Sequence, residues 1–325
     1  MDLSFSFRMN DLKSTSLQQD KVYDFLAIGA GPAGLNAALY GKRKGLDVAV
    51  ISKKKGGQIV DTSVVDNYLG IYGLTGEALA GKFLSHLTDL EVPVLENTEV
   101  VDYFSQGLLH NVVLSTGEIY QAKALLLATG SRPRLLSVPG ESKFFGEGVS
   151  YCAICDGPLF KGGDVFVAGG GNSAVEAALD LAKLANSVTI VHRSEFRADK
   201  ILVDKLVAHP KIKIFLQTKI TEIVGEARMT GLLVENLKTG ENQVLMGSGI
   251  FIEIGNIPNT APFDKLLKLN ERGEIITNTK KETNIPGIFA AGDVTDSLYK
   301  QIIISAGDGA IAALAINEYI NQTEF

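Results

Sequence analysis

The chain has 325 residues, 46% of them hydrophobic and 21% charged, and a formal net charge of −6. That length suits a soluble globular protein of about two domains at ~100 to 200 residues each, and the acidic balance excludes the electrostatic footprint that nucleic acid or an anionic membrane surface requires. No uninterrupted apolar run approaches the ~20 residues of a membrane span and the start lacks the apolar core of a secretory signal, so the expectation is a cytoplasmic protein with no membrane partner.

The first organised segment is YDFLAIGAGPAGLNAALYGKRKGLDVAVIS, residues 23–52. An apolar run, Phe25 to Ile28, meets Gly29, Gly31 and Gly34 in GxGxxG spacing; a helical pattern from Ala33 to Lys44, a stop at Gly45 and a second apolar run, Val48 to Ile51, follow. Strand, turn, helix and strand in this order suit a dinucleotide. Gly29 permits the tight turn, Gly31 lets the backbone approach a pyrophosphate where Pro32 and Ala33 open the helix, and Gly34 lets helix and strand pack closely. The acidic residue that would hold a ribose hydroxyl after the second strand is absent; Ser52 and Lys53 stand there. Further on, ALLLATGSRPR, residues 124–134, reads as a buried strand that breaks at Thr129-Gly130.

Both cysteines fall in GVSYCAICDGPLF, where Cys152 and Cys155 are separated by two residues and followed by Asp156. As a staple the pair is weak, since closing so short a loop constrains the unfolded chain by only ~2 kcal/mol against nearly 5 for a hundred-residue loop. As a zinc site it supplies half of a tetrahedral ligand set, and the four histidines, His86, His110, His192 and His209, are not at ligand spacing. No metal is therefore expected, and a redox pair is favoured.

Residues 164–193 repeat strand, glycine turn, helix and strand with Gly169, Gly171 and Ala174 in the GxGxxA variant, which implies a second nucleotide. Asn172 and Ser173 stand where they either cap the helix or touch phosphate. The strand runs into VHRSEFRADK, and His192, Arg193 and Arg197 suit a 2′-phosphate, because guanidinium groups present charge and forked donors. NADPH is favoured over NADH; a solvated basic loop with Glu195 and Asp199 interspersed is the alternative. Near the end, GIFAAGDV reads as a strand ending at Gly292-Asp293, where the carboxylate needs a hydroxyl partner or a helix N-terminus to face. An amphipathic helix follows in SLYKQIIISAGDGAIAALAINEYI.

Taken together, GAGPAG, GGQ, DNYLG, ATG, CAICDG, GGGNSAVEAA, GIFAAGDV and YKQIIISAG occur in the order in which they stand in the low-molecular-weight thioredoxin reductase family of flavoproteins, which the chain resembles from about Asp24 to Tyr319. YCAICDGPLFKG and YKQIII are most similar to the flavoprotein subunit of alkyl hydroperoxide reductase; that protein carries a further N-terminal disulfide module, so a separate partner is expected here. The resemblance implies an α/β fold of two Rossmann-like dinucleotide-binding domains, the second inserted into the first: FAD on 1–133 and 260–325, NAD(P)H and the CxxC pair on 134–259. It places Gln58, Asn67, Thr129, Gly130 and Gly292 near FAD, Asp293 on the ribityl chain, and Lys300 and Gln301 near the isoalloxazine. Gly169, Gly171, Asn172, Ser173, His192, Arg193 and Arg197 are placed on NADPH. The usual HRRxxxR signature reads HRxxxR here, which leaves NADH or ferredoxin as alternative reductants.

The resemblance also assigns chemistry. Electrons pass from NADPH through FAD to the Cys152–Cys155 disulfide and on to a thioredoxin-like or glutaredoxin-like protein, with Cys155 facing the flavin and Cys152 attacking the partner. Asp156 handles the proton, or is a turn residue before Gly157. A homodimer is expected, with the NADPH domain rotating between two docked states. Supply of a peroxiredoxin through a small carrier and a flavin thiol oxidase are the competing readings.

Overall fold

A computed structural model describes residues 17–62 and 64–325. Residues 1–16, placed in the first domain on sequence, lie outside this range. In chain order the elements are β1 (Val22–Ile28), α1 (Pro32–Arg43), β2 (Val48–Ile51), α2 (Gly76–Asp89), β3 (Val94–Leu95), β4 (Val100–Gln106), β5 (Leu109–Leu114), β6 (Ile119–Leu127) and β7 (Ser131–Pro133). Then come β8 (Val149–Ser150), α3 (Ala153–Asp156), β9 (Asp164–Ala168), α4 (Asn172–Leu184), β10 (Ser187–Val191), α5 (Lys200–Ala208) and β11 (Ile212–Phe215). The chain closes with β12 (Thr218–Gly225), β13 (Met229–Asn236), β14 (Asn242–Met246), β15 (Gly249–Ile252), β16 (Asn256–Pro258), β17 (Ile288–Ala290) and α6 (Ile302–Gln322).

These elements form two compact units, one from the residues up to Thr62, Leu74–Ser131 and Pro258–Phe325, the other from Arg132–Ile257 with the loop ending at Gly73. Sequence suggests crossings after 133 and 259 and leaves that loop in the first unit. Residues 64–73 carry only turns, bends and isolated bridges such as Tyr68–Ile71, so no apolar period marks where they belong.

In the first unit the sheet order is β3-β2-β1-β6-β5-β4, and β17 adds to β6. β1 pairs in parallel with β2 and β6, and β17 pairs in parallel with the second half of β6, Ile288 opposite Leu125. Strands covered on both faces read as continuous apolar runs. Accordingly Phe25 and Ala27 pack toward α1 and α6, while Leu26 and Ile28 pack into a second core with Leu125, Leu127 and Phe263.

Helix α6 differs from the sequence-based expectation. Its 21 residues are long and apolar enough, by length and composition, to cross a membrane, although Asp308 and Glu318 break any continuous apolar run. Its stripe of small residues is buried against α1: a Cβ on Gly309 would lie 2.1 Å from the Ala33 carbonyl oxygen, and Ala312, Ala313 and Ile316 are in the core. Close packing through glycine and alanine explains both its hydropathy and its weak amphipathicity.

In the second unit β11-β10-β9-β15-β8 form a parallel sheet and β12-β13-β14 an antiparallel one. β9 shows how the layers are made: Val165 and Val167 face the core under α4, whereas Phe166 and Ala168 face the core shared with Ile220, Ile223 and Leu232 of the antiparallel sheet.

Candidate functional site

In a parallel sheet, ligands lie at the carboxyl ends of the strands where the order reverses. In the first unit three neighbouring strands, β1, β6 and β17, deliver Gly29, Thr129-Gly130 and Gly292-Asp293 to that edge. Gly29 has φ +118°, and a Cβ there would lie 2.2 Å from the Ala128 carbonyl oxygen; one on Gly34 would lie 1.9 Å from the Gly29 oxygen. A Cβ on Gly31 would meet nothing within 4 Å. Two glycines are thus demanded by the protein's own packing, and the third by nothing inside the chain. An open backbone at the N-terminus of α1, with Pro32 in its first turn and Ala33 buried behind it, fits a pyrophosphate.

Other expected residues take definite places around this edge. The turn of Gly57 and Gln58 abuts Gly31, since a Cβ on Gly57 would stand 2.9 Å from its Cα. Ser52, standing where a carboxylate was absent, accepts the Ala30 amide at 3.1 Å and donates to the Lys54 carbonyl, so it braces the glycine turn. Thr129 donates to the Asn259 carbonyl at 2.6 Å and is thereby a structural tie. Gly130 and Gly292 both have positive φ, +67° and +77°. Asp293 accepts from Ser305 of α6 at 3.0 Å, the hydroxyl partner its position asked for, and burial holds its pKa above the ordinary carboxylate range. Lys300 pairs with Glu274 at 3.1 Å and donates to the Thr295 carbonyl; Gln301 caps α6, its carbonyl accepting the Ser305 amide. Asn67 is exposed, in the loop that belongs with the second unit.

The second unit brings the cysteines and the second glycine turn to one sheet edge. β15 lies between β8 and β9; β8 leads into Cys152 and β9 into Gly169. Cys152 and Cys155 form a disulfide, and Cys152 Sγ also accepts the Cys155 amide at 3.2 Å. Asp156, partly buried, accepts from Ser150 Oγ at 2.7 Å, and the same oxygen accepts the Cys152 amide at 3.0 Å. Burial raises the Asp156 pKa and the Ser150 bond opposes the rise.

The second glycine turn repeats the logic of the first. Gly169 has φ +148°, and a Cβ would lie 2.2 Å from the Glu253 carbonyl oxygen; Gly171 would meet nothing within 4 Å. Asn172 does not cap α4. Its amide instead donates to Asp199 at 2.9 Å and accepts the Asp199 amide at 2.9 Å, which pins the basic loop beside the turn. Ser173 is exposed. His192, expected on the nucleotide, is buried beneath Gly170, where a Cβ would lie 2.3 Å from its ring; it stacks on Phe196 and hydrogen-bonds Ser194 at 3.0 Å. It forms the floor of the turn, and burial, helped by Arg197, lowers its pKa. Arg193 and Arg197 are exposed, with the Arg197 amide bonded to the Gly170 carbonyl at 2.8 Å.

Among the described residues neither guanidinium has an ion pair, because the neighbouring carboxylates are taken by amides. Asn172 holds Asp199, and Gln217 donates to Glu195 at 3.0 Å. Ser150, Gln217 and Glu253 were not singled out by sequence. Glu253 alone carried a signal there, a charge ending the apolar run GIFI, as Asp293 ends its own. No group of acidic, histidine or cysteine side chains suited to a metal ion occurs among the described residues.

The family model described as pyridine nucleotide-disulphide oxidoreductase matches residues 23–309. The structure is similar to thioredoxin reductase from Streptococcus pyogenes, with 39% identity, a TM-score of 0.88 and coverage of 93% of this chain and 99% of that one. Thioredoxin reductase from Giardia duodenalis matches at 31% identity and a TM-score of 0.85, over 93% of this chain and 99% of that one. One subunit of the alkyl hydroperoxide reductase of Staphylococcus aureus is 41% identical over 308 residues, 94% of this chain; the chain spans 61% of that relative's length.

Proposed function

The chain belongs to the pyridine nucleotide-disulphide oxidoreductase family, and from that premise we propose that it is an FAD-dependent, NADPH-driven reductase of a thioredoxin-like or glutaredoxin-like protein disulfide. The observation that carries this reading is the placing of the Cys152–Cys155 disulfide and the second glycine turn at the same edge of one sheet, after two strands that flank β15. A dithiol and a nucleotide held by one unit are suited to the two ends of one electron path.

FAD, when bound, supplies a two-electron carrier between NADPH and the disulfide. Gly29, Gly31 and Gly34 would hold its pyrophosphate, Asp293 its polyol. Gly169, Gly171, Arg193 and Arg197 would hold the second nucleotide, with His192 supporting the turn from beneath. Two-electron reduction breaks the Cys152–Cys155 bond and leaves two sulfurs. The Cys152 thiolate attacks one sulfur of the partner disulfide and the other leaves; the Cys155 thiolate then displaces the partner from the mixed disulfide, restoring the pair and releasing a reduced dithiol. Asp156, held by Ser150, gives the proton to a departing thiolate or removes it from an attacking thiol.

The test is Cys152→Ser. It should retain NADPH-driven reduction of a small quinone and lose reduction of a thioredoxin-like disulfide. Turnover of that partner at the native rate would overturn the reading, as would failure of both NADPH and NADH to bleach the flavin anaerobically. A second reading, supply of a peroxiredoxin through a small redox carrier, is supported by the 41% identity to a protein of which the chain spans only 61%. Peroxide-dependent NADPH consumption in a mixture with carrier and peroxiredoxin distinguishes it.

A further inference from the structure

Glu253 follows β15, the strand that pairs with both β8 and β9. Phe251 stands opposite Ser150 and Ile252 opposite Ala168, so the next residue, Glu253, emerges between the cysteine turn on one side and the glycine turn on the other. Its main chain belongs to the glycine turn. The Glu253 amide bonds the Ala168 carbonyl at 2.8 Å, and its carbonyl oxygen occupies the space that a Cβ on Gly169 would need. Its side chain follows Phe251 onto the face of the sheet on which Ala153, the residue after Cys152, packs, and the Ala153 N–H favours the ionised form of its carboxyl group.

We propose that Glu253 is a positioning residue of the redox pair, standing beside the Cys152–Cys155 turn at the end of β15 and opposing, by its own negative charge, formation of the Cys152 thiolate. A carboxylate one peptide unit from a cysteine, partly buried and without a cation, disfavours a second negative charge beside it. Among the described residues no lysine or arginine pairs with Glu253. The ionisable groups on the segments next to it are Asp156 and the two cysteines on the turn that follows β8, His192 beneath Gly170, and Arg134, whose Nε lies 3.8 Å from where a Cβ on Gly255 would stand. Burial pushes the Glu253 carboxyl up to about 7, with the Ala153 N–H pulling the other way. Its charge therefore changes near neutral pH: protonated below, it leaves Cys152 freer to ionise; ionised above, it resists. This opposes the ordinary gain in thiolate with pH and broadens the range over which Cys152 titrates.

The inference rests on reading the pair as redox-active, and its test is independent of nucleotide or flavin. In the Cys155→Ser chain Cys152 is the single thiol, and its rate of alkylation by iodoacetamide against pH reports thiolate. Adding Glu253→Gln, which keeps the acceptor and the shape but not the charge, should lower the midpoint by about one pH unit and speed alkylation at pH 7 roughly threefold to tenfold, since nucleophilicity falls with pKa and takes back part of the gain. Asp156 is common to both proteins and drops out of the comparison. Superimposable profiles would overturn the proposal. Should Glu253→Gln fail to fold, Glu253→Ala removes the same charge and must show the same direction. A null result here leaves the reductase reading untouched, and a Cys152→Ser chain that still reduces its partner overturns that reading whatever the alkylation profile shows.

Discussion

Ser150 Oγ donates to Asp156 Oδ2 at 2.7 Å while accepting the Cys152 amide at 3.0 Å, so one hydroxyl ties the acid to the first residue of the redox loop. The bond favours ionised Asp156 against the effect of burial. Ser150→Ala should therefore move the limb of the pH–rate profile that Asp156 governs to higher pH, measured as partner reduction at saturating NADPH. Asp156→Asn, which can neither give nor take a proton, should lower partner turnover by about 10²-fold or more while quinone reduction stays near native. An unshifted profile in Ser150→Ala would show that the serine only braces the turn.

The glycines give a paired prediction in which stability and ligand binding separate. Gly31 has φ −81° and open space around its missing Cβ, so Gly31→Ala should melt with the native apoprotein yet bind FAD more weakly by at least tenfold. Gly34→Ala forces a Cβ to 1.9 Å of the Gly29 oxygen, and helix α1 must shift. It should lower the melting temperature of the apoprotein itself, by several degrees, at a cost of about 1 to 3 kcal/mol. Equal losses of stability in the two variants would argue against Gly31 being kept for a ligand.

These contrasts also show why part of the site was legible in sequence and part was not. The two glycine turns, the CxxC pair and the strand ends at Gly130 and Gly292 are local patterns, each readable within about thirty residues because strand, turn and helix follow one another along the chain. Glu253 acts through the order of strands in a sheet, which brings residue 253 beside residues 153 and 169 with no trace in local spacing, and Gln217 meets Glu195 only because the turn after β11 folds back. His192 is expected on the nucleotide from its motif, and what the motif does not carry is its packing: stacking on Phe196 and the missing side chain of Gly170 turn its ring inward beneath the turn. Asn172 reads as either a cap or a phosphate contact, for want of any sign that Asp199 would come back to meet it; the cap is not made.

Gln217 is expected to govern the choice between NADPH and NADH. By holding Glu195 at 3.0 Å it keeps a carboxylate away from Arg193 and Arg197, the two guanidinium groups left by a motif one arginine short. Gln217→Leu frees Glu195 to pair with either arginine or to repel a 2′-phosphate directly. The ratio of kcat/KM for NADPH to that for NADH should fall by roughly threefold to tenfold, mostly through KM for NADPH, with quinone reduction by NADH unchanged. If Arg193→Ala and Arg197→Ala lower that ratio but Gln217→Leu does not, the arginines recognise the phosphate without this restraint.

Glu253 makes stability itself depend on pH. Its carboxyl, at about 7 in the folded chain, lies above its ordinary value of 4.5, so the folded state binds this proton more tightly than the unfolded one. The resulting stabilisation is fully present below about pH 4.5 and is lost as pH rises through 7, a change of about 3 kcal/mol at most. Glu253→Gln has no proton to lose there. Relative to the native chain it should gain stability between pH 5 and pH 8, which appears in thermal unfolding of the apoprotein as a difference in melting temperature that opens by several degrees over that interval. Because Ser150 and the cysteines are the same in both proteins, a difference that stays constant with pH would mean that Glu253 titrates at its ordinary value, solvated at the edge of the sheet. A difference that opens from about pH 4.5 and levels off above pH 7 would place its proton between the two turns.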